Sequence, residues 1–398
     1  MKTISKTMIT RRNVLEGLLA TGLFGGCRTS LKDSAAYTAT ILGDLHYDTA
    51  PAEVYHAQFI KDIQGTGLHQ MRFKEFTRNA TMWANLSPKI MAASGKCAVD
   101  DSAFVLQMGD LIQGDCNDFD VHYRMLVETA NKIKSYYPAA LPFVTTCGNH
   151  DIREGGKGRN MTAAPTYARF ATDFHLKELS SRLVSDITGS TFAFRQGPDL
   201  FLVLDFNFAE RQLELVERLL EENRDVRYTF IVTHGGVFPF DCWPCRWFYL
   251  GGVHASNAGA PFDPATDGMR RRMRSLFARR NAIVLCGHTH HLELKEARFP
   301  EGIITEMTMN SVPCKSGGGE FPGEPLVKRE GVENYGKVEW VEKNPSIKAL
   351  FAEYQPYMTR FYFADAVGHA KLRVSDEGVW FDFYGMDSLS PTKTFRLR

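Results

Sequence analysis

The stretch Val284–His291, VLCGHTHH, sets an apolar run against a glycine and then three histidines within four positions. A short run of β-branched and apolar residues predicts a buried strand, and the glycine predicts a sharp turn at its end. Imidazoles crowded at a strand mouth suit a ligand site better than a core. One such stretch does not decide between a site and an accident of packing.

Four further stretches repeat the arrangement. ATILGDLH (39–46), AFVLQMGD (103–110), PFVTTCGNHD (142–151) and YTFIVTHGG (228–236) each run from apolar residues into a polar cluster. Continuous apolar runs of this length suit strands covered on both faces, as in a sheet flanked by helices. RQLELVERLLEE (211–222) places Leu213, Val216, Leu219 and Leu220 on one helical stripe just before the fourth run. Strands alternating with helices predict an α/β protein. STFAFRQG and DLFLVLDF (190–206) predict a hairpin turned at Gly197–Pro198–Asp199, and residues 360–387 predict two or three antiparallel strands. Residues 314–346, rich in Gly, Lys and Glu, show no period and are expected to form a long loop. One domain over 37–398 is expected, with an aromatic-rich insertion at 235–280.

The polar clusters collect Asp44 with His46, Asp110, Asn149 with His150, His234, and His288 with His290. Ligands in open α/β folds bind at the C-terminal ends of strands. This mix of oxygen and nitrogen donors suits Mn, Fe, Zn or Co. In GDLH and GHTH the donors are two apart, so in extended backbone their side chains share a face. Gly43, Gly109, Gly148 and Gly287 precede the clusters and let the chain turn beside a crowded centre. Together the five clusters predict one metal site.

At this point the sequence resembles the calcineurin-like metallophosphoesterases. The blocks D-x-H, G-D, G-N-H-D, an isolated H and G-H-x-H occur in that family's order between residues 43 and 290. The resemblance implies a four-layer α/β/β/α sandwich with two mixed sheets, and two divalent metal ions. Asp44, His46 and His290 would hold one ion, Asn149, His234 and His288 the other, and Asp110 would bridge both. His150 would act on the leaving group as general acid. The implied reaction is attack on phosphorus by a hydroxide held between two cations, and the implied substrate is a small-molecule phosphomonoester or phosphodiester. At the third residue after the bridging Asp, purple acid phosphatases carry Tyr and protein Ser/Thr phosphatases carry Asp. Here it is Gln113, which argues against a tyrosinate iron centre and leaves open whether Asp115 or Asp151 supports His150. His291, His254, His175 and His122 lie outside the pattern.

Arg153, Lys157 and Arg159 sit on a glycine-rich stretch directly after Asn149 and His150, and are the candidate contacts to substrate phosphate. The aromatics Phe238, Phe240, Trp243, Trp247, Phe248 and Tyr249 could form a lid or a satellite core; the sequence favours neither. Cys242 and Cys245 have C-x-x-C spacing without a second pair, so a local disulfide or two plain thiols is the expectation over redox chemistry. The alternative to an enzyme is a metal-binding surface protein without turnover.

Residues 1–27 read as an export signal. Lys2, Lys6, Arg11 and Arg12 precede an apolar stretch, and Arg11–Arg12 resembles a twin-arginine pair. LFGGC resembles a lipoprotein processing box, which leaves open a membrane attachment through Cys27. Periplasm or cell envelope is the expected location. Removing this segment, with four basic residues and one acidic, takes the formal net charge from +1 to −2. A chain so balanced has no global electrostatic case for a nucleic-acid polymer as partner.

Overall fold

The computed structural model describes residues 36–48, 53–99, 101–153, 162–206, 210–239, 264–312, 326–343 and 345–398. Two sheets carry the architecture. The first has the order β14-β13-β12-β1-β2-β3, built from β1 (Tyr37–Leu42), β2 (Ser102–Gln107), β3 (Phe143–Thr145), β12 (Gly368–Ser375), β13 (Gly378–Gly385) and β14 (Lys393–Arg396). The second runs β10-β11-β8-β9-β7-β6-β5-β4. Its members are β4 (Phe192–Gln196), β5 (Asp199–Val203), β6 (Thr229–Val232), β7 (Ile283–Cys286), β8 (Leu292–Phe299), β9 (Gly302–Thr308), β10 (Leu326–Glu330) and β11 (Met358–Asp365). Both sheets are mixed: β1, β2 and β3 are mutually parallel, as are β5, β6, β7 and β9, with antiparallel strands at the flanks.

Alternation along each strand sorts the side chains into layers. Phe104 and Leu106 of β2 join Phe230 and Val232 of β6 and Ile283 and Leu285 of β7 in a core between the sheets. Val105 points the other way, into a core shared with the helices Ser87–Ala98, Phe119–Lys134 and Ala164–Leu179. Ile231 and Val284 likewise join the helices Glu210–Glu222, Pro264–Arg279 and Pro345–Tyr354 on the outer face of the second sheet. Helix, sheet, sheet, helix is the expected α/β/β/α sandwich. Leu213, Val216, Leu219 and Leu220, the stripe read from the sequence, are all buried there.

Three local features differ from the expectation or extend it. The hairpin over 190–206 forms as β4 and β5, with Gln196 opposite Asp199. Of the antiparallel strands expected over 360–387, β11 enters the second sheet while β12 and β13 pair in the first, so the chain changes sheet at Ala366–Val367. Within 314–346, read as a long loop, residues 326–330 form β10 and Glu339–Glu342 a short helix. An edge strand needs no internal apolar period, since its pairing with β11 is made by backbone. Among the described residues no helix is long and apolar enough to cross a membrane. Residues 1–35, with Cys27 and the twin-arginine pair, lie outside the described residues, as do Cys242, Cys245, Cys314 and His254. Cys97, Cys116, Cys147 and Cys286 are free thiols.

Candidate metal centre

Parallel strands from both sheets end together. β1, β2 and β3 deliver Asp44, His46, Asp110, Asn149 and His150, and β6 and β7 deliver His234, His288 and His290. Backbone bonds tie the ends across short gaps: the amides of Leu45 and His46 donate to Asp110 O at 3.0 and 2.8 Å, and the Gly287 amide donates to His234 O at 3.0 Å. Asp44 crosses between the sheets, its carboxylate accepting the His288 amide at 3.1 Å. Asp151 joins two loops of the first sheet by accepting the amides of Gly148 (2.8 Å) and Ile112 (3.1 Å).

The donors form two groups that share one carboxylate. Asp44, His46, Asp110 and His290 make the first, and Asp110, His234 and His288 the second. In the first, His290 Nε2 is 2.9 Å from Asp44 Oδ2 and 3.2 Å from His46 Nε2, which is 3.5 Å from Asp110 Oδ2. In the second, His234 Nε2 is 3.3 Å from Asp110 Oδ2, 3.1 Å from His288 Nδ1 and 3.2 Å from Asn149 Oδ1. All seven residues assigned to metal in the sequence therefore meet here, and His288 and His290 serve opposite groups.

His234 shows what the pocket requires. Its Nδ1–H donates to Met108 O at 2.8 Å, which turns the lone pair of Nε2 toward the Asp110, Asn149 and His288 donors. Lone pairs converging at about 3 Å repel unless a cation or proton lies among them. Burial opposes a charge on His234, yet the Asp110 and Asp44 carboxylates outweigh it and lift its pKa to about 9. Burial likewise opposes ionisation of Asp110, and His234, His150 and His46 overcome it, holding the carboxyl well below its ordinary value. The pocket is anionic, dry and built of N and O donors, so the residues present fit two divalent cations.

Backbone conformation differs from the extended geometry expected of D-x-H and H-x-H. His46, Asp110, His288 and His290 have φ of 39°, 51°, 71° and 63°. Four candidate ligands thus occupy the left-handed region that costs an L-residue on the order of 1–3 kcal/mol. Turning, not strand alternation, aims these side chains. Of the glycines, Gly109 uses its freedom directly at φ 84°, whereas Gly148 is required for space: a Cβ there would stand 2.1 Å from Asp110 N.

The family comparison agrees with this geometry. Residues 37–292 match the model of the calcineurin-like phosphoesterases. The chain belongs to that family. It is a metal-dependent phosphoesterase. Solved structures similar to this phosphoesterase include PhoD, at 11% identity and TM-score 0.45 over 91% of this chain and 68% of that one. A dimetal phosphatase from Danio rerio is similar at 12% identity and TM-score 0.46, over 91% and 98%. GAP50, the anchor in the inner membrane complex of Plasmodium, follows at 11% and 0.39 over 91% and 89%. No curated protein sequence matches the chain.

Around the donors the phosphoesterase departs from the sequence reading in several places. Arg153, expected as a contact to substrate phosphate, is buried, with Nη2 2.7 Å from Asp115 Oδ2 and 2.7 Å from His150 Nδ1. Its neighbours are protein groups because the chain folds back there, the Asp115 amide donating to Arg153 O. Lys157 and Arg159 lie outside the described residues. Phe238 is a core residue packed against Phe299 and Tyr354; the other aromatics of that stretch lie outside the described residues. His291 pairs with Asp365 at 2.7 Å, and His122 and His175 are buried in the fold.

Several contributors escaped the sequence reading. Phe206, at the end of β5, packs its ring 5.7 Å from His234 and 6.3 Å from His288, walling the second group with apolar surface. Ser311 Oγ and the Val312 amide, past the end of β9, donate to Asp44 O at 3.2 and 2.9 Å. The signal for both was present, since each follows a strand parallel to β6 or β7. Neither carries a residue type that announces chemistry. The helix Gly67–Asn85 supplies Arg72, Glu75 and Asn79 to the cluster behind Gln113 and Asp115, and nothing in its sequence pointed there.

Proposed function

We propose that this chain hydrolyses phosphate esters of small molecules at a two-metal centre, with Asp44, His46 and His290 holding one ion, Asn149, His234 and His288 the other, and Asp110 shared. The observation that supports it most is the sharing itself: Asp110 Oδ2 lies 3.5 Å from His46 Nε2 and 3.3 Å from His234 Nε2. Mn, Fe and Zn all suit the donor set. When bound, such a pair supplies Lewis acidity to phosphoryl oxygens and brings the pKa of water down toward about 7.

The chain's own residues supply the rest. Asp110 offers one carboxylate to both groups and so lessens the repulsion between them. Phe206 keeps bulk water from one side. His150, whose amide donates to Asp110 Oδ1 at 2.8 Å, is anchored to the bridging carboxylate and gives its Nε2 proton to the departing oxygen. A proton donor so placed favours diesters with poor leaving groups and accommodates monoesters such as nucleotides or sugar phosphates. We further propose export by the twin-arginine route, on the strength of Arg11–Arg12.

Hydrolysis of p-nitrophenyl phosphate and bis(p-nitrophenyl) phosphate with added Mn²⁺, then with chelator, tests the reading. Metal-dependent turnover of at least one supports it, and none on either overturns it. A reporter fused to residues 1–35 should lose export when Arg11 and Arg12 become Lys; unchanged export rejects that route.

A further inference from the structure

In this phosphoesterase, two groups among the described residues lie close to the ring nitrogen Nδ1 of His150. Gln113 O lies 2.9 Å away and Arg153 Nη2 2.7 Å away. The same Nη2 reaches Asp115 Oδ2 at 2.7 Å and Gln113 O at 3.4 Å. Asp115 is itself buried and lies 3.8 Å from Arg72 Nε, while Arg72 Nη1 donates to Glu75 Oε2 at 2.6 Å. Glu75 also accepts from Gln113 Nε2 at 3.3 Å, and Asn79 Nδ2 donates to Gln113 Oε1 at 2.6 Å. The helix Gly67–Asn85 therefore braces both the residue whose carbonyl touches His150 and the carboxylate that holds Arg153.

A guanidinium has N–H donors and no acceptor. Nδ1 of His150 thus faces one donor, Arg153 Nη2 at 2.7 Å, and one acceptor, Gln113 O at 2.9 Å, and together they hold the ring with Nε2 on its opposite side. The backbone leaves little room for another arrangement, since a Cβ at Gly114 would stand 2.3 Å from His150 O and 2.8 Å from Arg153 O.

We propose that Arg153 is a positioning residue for the reaction: anchored by Asp115, it fixes the orientation of the His150 ring so that Nε2–H of the protonated imidazole faces the leaving group. This rests on the reading of His150 as proton donor. Arg153 touches neither substrate nor metal in this role and acts only through the imidazole. Its contribution follows how much the leaving oxygen needs that proton.

The test compares wild type, Arg153→Met, His150→Ala and the double variant, all loaded with Mn²⁺, on an alkyl and a p-nitrophenyl phosphodiester. Removing a partner that orients an essential group costs roughly 10–100-fold in activity. Arg153→Met should lose that much in kcat on the alkyl ester and about threefold or less on the p-nitrophenyl ester, with KM and metal content unchanged. In the His150→Ala background it should cost nothing more. Equal losses on both esters, a shift in KM alone, or full additivity with His150→Ala would overturn the proposal. Should His150→Ala leave alkyl ester turnover intact, the proton-donor reading falls first, and is seen to fall separately. Arg153→Lys and Asp115→Asn repeat the comparison if the Met variant does not fold; either must show the same leaving-group split, or the proposal fails.

Discussion

Nε2 of His234 stands 3.3 Å from Oδ2 of Asp110, although the two residues end strands of different sheets. The contact joins the two donor groups and makes Asp110 the residue on which both depend. Asp110→Asn keeps the volume and removes the charge. Loss of a preorganised charge of this kind lowers kcat on the order of 10³-fold. Bound metal, measured on the purified variant, should fall from two per chain to one or fewer. Two retained ions with near-normal turnover would show that Asp110 does not bridge.

Gly148 lies against Asp110 so closely that a methyl group there would stand 2.1 Å from its amide nitrogen and 2.3 Å from Oδ1. Neither atom belongs to a flexible tip, because Oδ1 is held by the His150 amide at 2.8 Å. Gly148→Ala should displace the bridging carboxylate. Overpacking costs about 1–3 kcal/mol, and thermal melting should show it. Activity should fall more than stability accounts for, by at least about 100-fold under folding conditions, since catalysis tolerates little misplacement.

These two cases mark what was legible in the sequence. The five strand-end clusters named seven residues that the fold brings together, because each chemistry-bearing residue follows an apolar run and strands of an α/β sandwich bring such ends together. The continuous apolar runs predicted strands covered on both faces, and the family resemblance implied the four layers. Conformation at the site was not legible: D-x-H and H-x-H suggest extended spacing, yet His46, His288 and His290 take positive φ, with the amides of His46 and His288 bonded to Asp110 O and the Asp44 carboxylate. The place of Arg153 was hidden likewise. A charged residue on a glycine-rich stretch reads as solvated, and only the fold supplies the buried Asp115 that draws it inward. The helix Gly67–Asn85 could not be connected to Gln113 from sequence, since that contact spans 34 residues and has no period.

Acid should unfold the protein early. His175 Nε2 accepts the Thr145 amide at 3.1 Å, so its ring is neutral there, and burial lowers its pKa to about 3. Burial also lowers His122 to about 4, against a bond to Asp151 O, and His369 to about 4. Their folded values lie below the unfolded value, so the unfolded chain binds more protons. Their contribution to stability is complete above pH of about 6.5 and is lost as pH falls toward the folded values, at about 1.4 kcal/mol per pH unit for each group. Denaturant titrations at pH 7, 6, 5 and 4 should show this slope, and His175→Gln should make it shallower. A stability flat from pH 7 to 4 would refute the assignment.

The loop that follows His234 is anchored by a buried charge cluster. Glu306 Oε2 accepts the amides of Val237 and Phe238, and Lys295 lies between Glu306 and Glu293, with Nζ 3.3 Å from Glu306 Oε1. All three side chains are buried on β8 and β9. Burial works against the Lys295 charge, but Glu293 and Glu306 overcome it and raise its pKa, so the ammonium is kept. Lys295→Met would leave two carboxylates facing each other without a cation, and breaking a buried pair costs about 3–5 kcal/mol. The triple change to Met at 293 and 295 with Gln at 306 removes the charges together and keeps one acceptor for the loop amides. It should recover most of the stability lost in the single variant, as read by chemical denaturation. If the single variant is as stable as wild type, the cluster does not hold the loop through charge.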